Sequence, residues 1–159
     1  MKKIIMVFVG SSLLAGCANH QVIKYRGDES KPIIVTDYYQ SFPNSAGGVE
    51  VSLTAFNMSD KTIKYLDFYG KHLDRVGEKT SDQITGEELK GYRFTGPYKP
   101  ESRINGRFGP NFYNGAAHCL MIDSVKVTYM DSTELELQGD KLKDVLVIGN
   151  TTCRNLMNR

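Results

Sequence analysis

The chain predicts an all-β fold: an antiparallel sandwich of immunoglobulin-like type, with about seven strands and a short C-terminal helix. Three observations carry that prediction. Apolar and polar residues alternate with period two through residues 49–55 and 119–129, the mark of strands with one dry and one wet face. Short β-branched and aromatic runs recur between clusters of Gly, Pro, Asn and Asp, which punctuate a chain into strands and turns. Only after Gly139 does the apolar spacing change to that of a helix. A small barrel is the competing architecture.

The elements follow in order. Ile33-Ile34-Val35 and Tyr38-Tyr39 form a first strand, and Pro43, Asn44, Gly47 and Gly48 mark a turn. Residues 49–55 are a second strand, Asn57-Met58-Ser59-Asp60-Lys61 a polar turn, and residues 62–69 a third strand. The second and third runs read as a hairpin. Residues 77–91 read as a long polar loop. Tyr92-Arg93-Phe94-Thr95 is a short strand stopped by Gly96-Pro97, and residues 103–108 another, stopped by Gly109-Pro110. In residues 119–129, Cys119, Met121, Val125, Val127 and Tyr129 are expected on one face, with Ser124, Lys126 and Thr128 on the other. Residues 133–137 return as the last strand. Leu142, Val145 and Leu146 then line one face of a helix, with Asp140 as its expected N-cap. A buried Trp and an inter-sheet cysteine pair are missing, so an antibody-type domain is not implied.

Ahead of this domain stands a leader. Met1-Lys2-Lys3 precedes an apolar run at residues 4–14, which ends in Leu14-Ala15-Gly16-Cys17. The run is 11 residues long, whereas a spanning helix needs about 20, so it suits a cleavable signal better than an anchor. Leu14-Ala15-Gly16-Cys17 resembles the lipobox of bacterial lipoproteins. That resemblance implies cleavage before Cys17, a diacylglycerol on its sulfur and an acyl chain on its amine. Two or more chains hold stably where one is marginal. Ala18 in place of an aspartate implies, by the same resemblance, the outer membrane of a Gram-negative cell. The expected organisation is residues 1–16 signal peptide, 17–31 lipidated tether, 32–148 β-sandwich and 149–159 tail. Extended, the tether would reach about 45–50 Å. It contains Arg26-Gly27-Asp28, which reads as a turn rather than an adhesion motif.

Without Lys2 and Lys3 the 20 basic side chains become 18, equal to the 18 acidic ones. A neutral domain has no electrostatic case for nucleic acid. Its expected partners are a membrane, through the lipid, and an envelope protein. With Cys17 committed to lipid, Cys119 and Cys153 remain. In an oxidising compartment they are expected to bridge, closing a loop of about 35 residues and contributing roughly 3–4 kcal/mol. Two free thiols are the alternative, and geometry decides.

Asn57 to Tyr69, followed by Asp74-Arg75-Val76-Gly77, is similar to the central hairpin of the FxLYD-like bacterial exported domains. Gly96-Pro97, Tyr113-Asn114, Cys119 and Ser124 to Asp131 resemble the rest of such domains. The likeness covers residues 49–137 and implies an immunoglobulin-like fold without chemistry. Lys71-His72-Leu73 follows the aromatic strand without a counterpart in that pattern.

The residues themselves supply no catalytic constellation. His20, His72 and His118 lack the spacing of metal ligands, and no Cys-x-x-Cys is present. His118 and Cys119 are neighbours on a strand and point to opposite faces, which suits no nucleophile pair. Glu87-Glu88 and the carboxylates within residues 131–136 read as solvated loops rather than an acid–base pair. Aromatics stand out instead. Phe108, Phe112 and Tyr113 share a Gly-Pro-rich segment and are expected to form a partner-contact patch, against the alternative of a sandwich core. The expected function is that of a lipid-anchored, non-enzymatic envelope protein without metal or cofactor, acting as a binding or assembly module. An inhibitor or ligand-binding lipoprotein is the alternative.

Overall fold

A computed structural model describes residues 31–147 together with Cys153. The signal peptide, Cys17, His20, most of the tether and the tail apart from Cys153 lie outside the described residues. Among residues 31–147, seven strands and one helix follow in order. They are β1 (Ile33–Gln40), β2 (Gly48–Asn57), β3 (Ile63–Leu73), β4 (Leu89–Tyr98), β5 (Arg103–Tyr113), β6 (Cys119–Tyr129), β7 (Glu134–Gln138) and α1 (Gly139–Val145).

The strands make two antiparallel sheets, β1-β2-β5 and β4-β3-β6-β7, packed as a sandwich. In a constant-type immunoglobulin sandwich the fourth strand pairs with the fifth. Here β4 pairs with β3 instead. Between the layers lie Val35, Leu53 and Ile104 from the first sheet, and Leu66, Phe68, Tyr92 and Val127 from the second, all buried.

β2 and β3 are not the expected hairpin. β2 pairs with β1 and β5, and β3 with β4 and β6, so the turn between them crosses from one layer to the other. Asn57, wholly buried, holds that crossing. Its Nδ2 donates to the carbonyls of Lys61 at 2.8 Å and Tyr98 at 3.1 Å. Its Oδ1 accepts from the Ser59 N–H at 3.1 Å and the Ser59 hydroxyl at 2.7 Å. A hairpin turn closes its own ladder, but this one feeds its polar groups to the neighbouring sheet.

Gly-Pro does not end β4 or β5, contrary to expectation. Both are edge strands, and in each the Gly-Pro pair occupies a bulge. Register slips between Thr95 and Tyr98, where Gly96-Pro97 is a cis bond, and between Phe108 and Phe112 around Gly109-Pro110. At an edge bulge the N–H that proline lacks is not required by a ladder, so pairing resumes beyond it. β6 keeps its expected bounds but changes phase. The slip at Tyr69/Gly70 makes Asp123 an extra residue. Leu120 and Ile122 therefore join Val125, Val127 and Tyr129 in the core, while Cys119 clusters elsewhere with Leu73 and Cys153, with Met121 packed against them.

α1 starts after Gln138 with no side-chain cap. Asp140 sits in the first turn and pairs with Lys143 at 2.9 Å, so it is not the N-cap. Leu142 and Val145 enter the main core. Beyond α1, Leu146 bridges Val35 in parallel and the Val147 N–H donates to the Val35 carbonyl at 3.0 Å. The chain leaving the helix thus lies along β1.

Candidate functional site

Three loops gather at one end of the sandwich: 41–47, 74–88 and 114–118, following β1, β3 and β5. The described chain begins at the other end, where the Pro32 carbonyl accepts from Met58 at 2.9 Å and Ser59 at 3.0 Å. The loops are tied together. Asn114 N–H donates to the Gly47 carbonyl at 2.9 Å, Gln83 N–H to Tyr113 at 2.8 Å, and Asn114 Nδ2 to Ser81 at 2.9 Å. They carry three large apolar side chains into solvent, Phe42 at 67% exposure, Val76 at 78% and Ile84 at 71%. Phe42 and Val76 face a cleft of about 240 Å³ that His118 and Asp74 also line. Pockets that enclose small ligands run to about 300–1,000 Å³, so this hollow falls below that range.

Two aspartates give the longest loop its shape. Asp74 Oδ1 accepts from the N–H groups of Val76 and Glu78, each at 2.9 Å, around a left-handed Gly77. Asp82 is 2% exposed. It accepts from Ile84 at 2.8 Å, Thr85 at 3.0 Å and, across to β5, Tyr113 at 3.2 Å, with Lys90 Nζ at 3.6 Å. Burial alone would push its carboxyl up. The three backbone N–H groups and Lys90 outweigh burial and hold it below the usual range. A 15-residue segment without regular structure is thereby braced rather than loose.

Beneath the loops lies a buried polar network. His72, fully enclosed on β3, bonds Gln40 Oε1 from β1 at 2.6 Å and Tyr92 Oη from β4 at 2.7 Å. An amide oxygen only accepts, so His72 Nδ1 carries the proton and donates; the Tyr92 hydroxyl donates to Nε2. The ring stacks on Phe112 of β5. Burial lowers the His72 imidazole to about 4, while Asp82 raises it and Lys90 lowers it. Burial also pushes the Tyr92 hydroxyl well above its ordinary value. Gln40 Nε2 has no hydrogen-bond partner among the described residues.

Of the expected aromatic patch, one ring lies inside the sandwich and two stand partly exposed. Phe112 is fully buried, Phe108 packs on the core against Tyr92 and Phe94, and only half-buried Tyr113 reaches the loop end. The segment is a strand, so alternation sends its rings inward. Cys119 and Cys153 form the bridge, with Cα atoms 5.6 Å apart. Glu87 pairs with Lys90 at 2.8 Å, and Asp131 with Lys61 at 2.8 Å, both on the surface. Among the described residues, no group of three or more His, Cys, Asp or Glu is placed to hold a metal ion. Sequence reasoning missed Gln40, His72, Tyr92 and Asp82. For Asp82 a signal existed, since Thr85-Gly86 three residues on marks a turn that an Asx side chain commonly closes.

Neither the protein-family models, the curated proteins nor the solved structures provide a match to this chain.

Proposed function

We propose that this chain is a lipid-anchored, non-enzymatic protein of the bacterial cell envelope that binds another protein through the loop end of its sandwich. The observation that supports it most is Phe42, Val76 and Ile84 standing exposed on loops that are cross-braced. Loops ordered in advance lose little entropy on binding, and exposed apolar side chains gathered at one end mark contact surfaces. The lipobox reading adds an orientation. A lipid on Cys17 would hold the protein by the chain that reaches the domain at Pro32, opposite the loops, leaving Phe42 and Ile84 turned toward a partner. Ala18 favours the outer membrane, and the FxLYD-like resemblance favours a role without chemistry or cofactor.

Photo-crosslinkers placed at Phe42 and Ile84 in cells should capture one envelope protein, and the double variant Phe42→Ser/Ile84→Ser should lose it with thermal stability unchanged. Equal capture by the double variant would reject the loop end as the contact. Cys17→Ser should abolish labelling by radioactive fatty acid, and a variant that labels as wild type does would reject the anchor. A second reading, inhibition of a soluble hydrolase, is favoured by the compact Asp82-braced loop that projects Ile84. Tight, Ile84-dependent capture of a soluble enzyme in place of an envelope protein would select it.

A further inference from the structure

We propose that His72 is an acid-sensitive clasp, which locks the loop end of the sandwich while its ring is neutral and frees that end when the ring takes a proton. The device does not depend on what the loops bind. Its geometry is one of convergence. Gln40 is the last residue of β1, His72 the penultimate residue of β3, Phe112 the penultimate residue of β5, and Tyr92 lies in the first half of β4. Four strands from both sheets therefore meet on one imidazole immediately beneath the loops. His72 also reaches the loops through its backbone, because its carbonyl accepts from the Thr80 N–H at 2.9 Å and the Thr80 hydroxyl at 3.0 Å. Phe112 precedes Tyr113, whose N–H and carbonyl hold Asp82 and Gln83.

Protonation upsets each part of this arrangement. The ring nitrogen Nε2 now accepts from Tyr92, and gaining a hydrogen turns it into a donor. Tyr92 Oη must then accept, and its own hydrogen needs a new acceptor in a buried place. Gln40 Oε1 can still accept from Nδ1, but the Gln40 amide already has an unpartnered nitrogen. A cation also replaces a neutral ring in a fully enclosed site, which is costly without a paired anion. The charged groups around the ring do not supply one. Asp82 and Lys90 act on it in opposite senses, and Tyr92 stays neutral. The Phe112 face offers the new cation partial compensation. Opening the loop end lets water reach His72, whereas the opposite end, held by Asn57, contains no part of the network.

Amide hydrogen exchange on the intact protein at pH 7 and pH 4, corrected for intrinsic rates, reads this directly. Protection at Thr80, Gln83 and Tyr113 should fall about a hundred-fold between the two, from the linkage of a proton bound near 6.5 when open and near 4 when closed. Protection at Met58, Glu101 and Met130, turn and bulge amides at the other end that exchange through local openings leaving His72 enclosed, should change less than about three-fold. His72→Gln, which cannot titrate, should abolish the difference between pH values. Should that variant fail to fold, NMR titration of the His72 ring in the unmodified protein decides, with a midpoint near 4 expected. An equal loss at both ends, an unchanged loop end at pH 4, or a His72 midpoint near 6.5 would each overturn the clasp.

Discussion

His72 and Phe112 stack nearly face to face between the sheets, their ring centroids 3.9 Å apart and their planes 20° from parallel. The pair joins the second strand of one layer to the edge strand of the other. Phe112→Ala should therefore cost about 3–5 kcal/mol of folding stability, as for other buried aromatics. Tyr113→Ala, one residue on and half-exposed, should cost less than about 1.5 kcal/mol. Urea unfolding of the two variants checks the contrast. Equal losses would mean that the stack carries no special weight.

Stability should decline in mild acid. The His72 ring binds a proton near 6.5 when unfolded and near 4 when folded. A depressed folded value means that the unfolded chain takes the proton first as pH falls. The contribution is complete above about 6.5, shrinks between about 6.5 and 4, and changes no further below that. It amounts to about 3 kcal/mol. Unfolding midpoints at half-unit steps of pH should trace this window, and His72→Gln should flatten it.

The Cys119–Cys153 bridge joins residues 34 positions apart. In the chain-entropy model its loss costs about 3–4 kcal/mol. Both sulfurs are buried beside Leu73, so the double Cys→Ser variant also sets hydroxyls in an apolar cluster. Cys119→Ala/Cys153→Ala separates the two effects and should lose the smaller amount by thermal melt.

Gly70 lies where β3 shifts register against β6. A Cβ there would stand 2.7 Å from Leu120 Cδ1 and 3.0 Å from the Met121 carbonyl oxygen. Leu120 can yield, but the carbonyl belongs to the ladder. Gly70→Ala should therefore destabilise by about 1–3 kcal/mol despite its better strand propensity. A melt as high as wild type would show that the bulge relaxes.

The fold was legible wherever one strand face is wet. Period two in β2 and β6 places both strands, and β6 keeps its expected bounds to the residue. Pairing was not legible, because it is non-local. Nothing in residues 57–61 distinguishes a hairpin from a crossing until the Asn57 amide is seen bonding the Tyr98 carbonyl, 41 residues away. Gly96-Pro97 and Gly109-Pro110 mislead for a related reason, since a stop signal in an interior strand becomes a tolerated bulge at an edge. The candidate site was the least visible. Phe42, Val76 and Ile84 read as ordinary apolar residues in loops, and their prominence depends on three distant turns meeting. His72 shows only that it ends an aromatic run; its partners come from β1, β4 and β5.

The four sheet margins share a property. Leu146 and Val147 dock against Val35 and cover β1 at that point. β7 is only five residues long and carries Glu134 and Glu136, while β4 and β5 each hold a proline at a kink. A free margin is the template on which β proteins polymerise, and short strands, charges, prolines and covering segments each deny it. Each margin therefore carries a feature that works against a second copy extending the sheet.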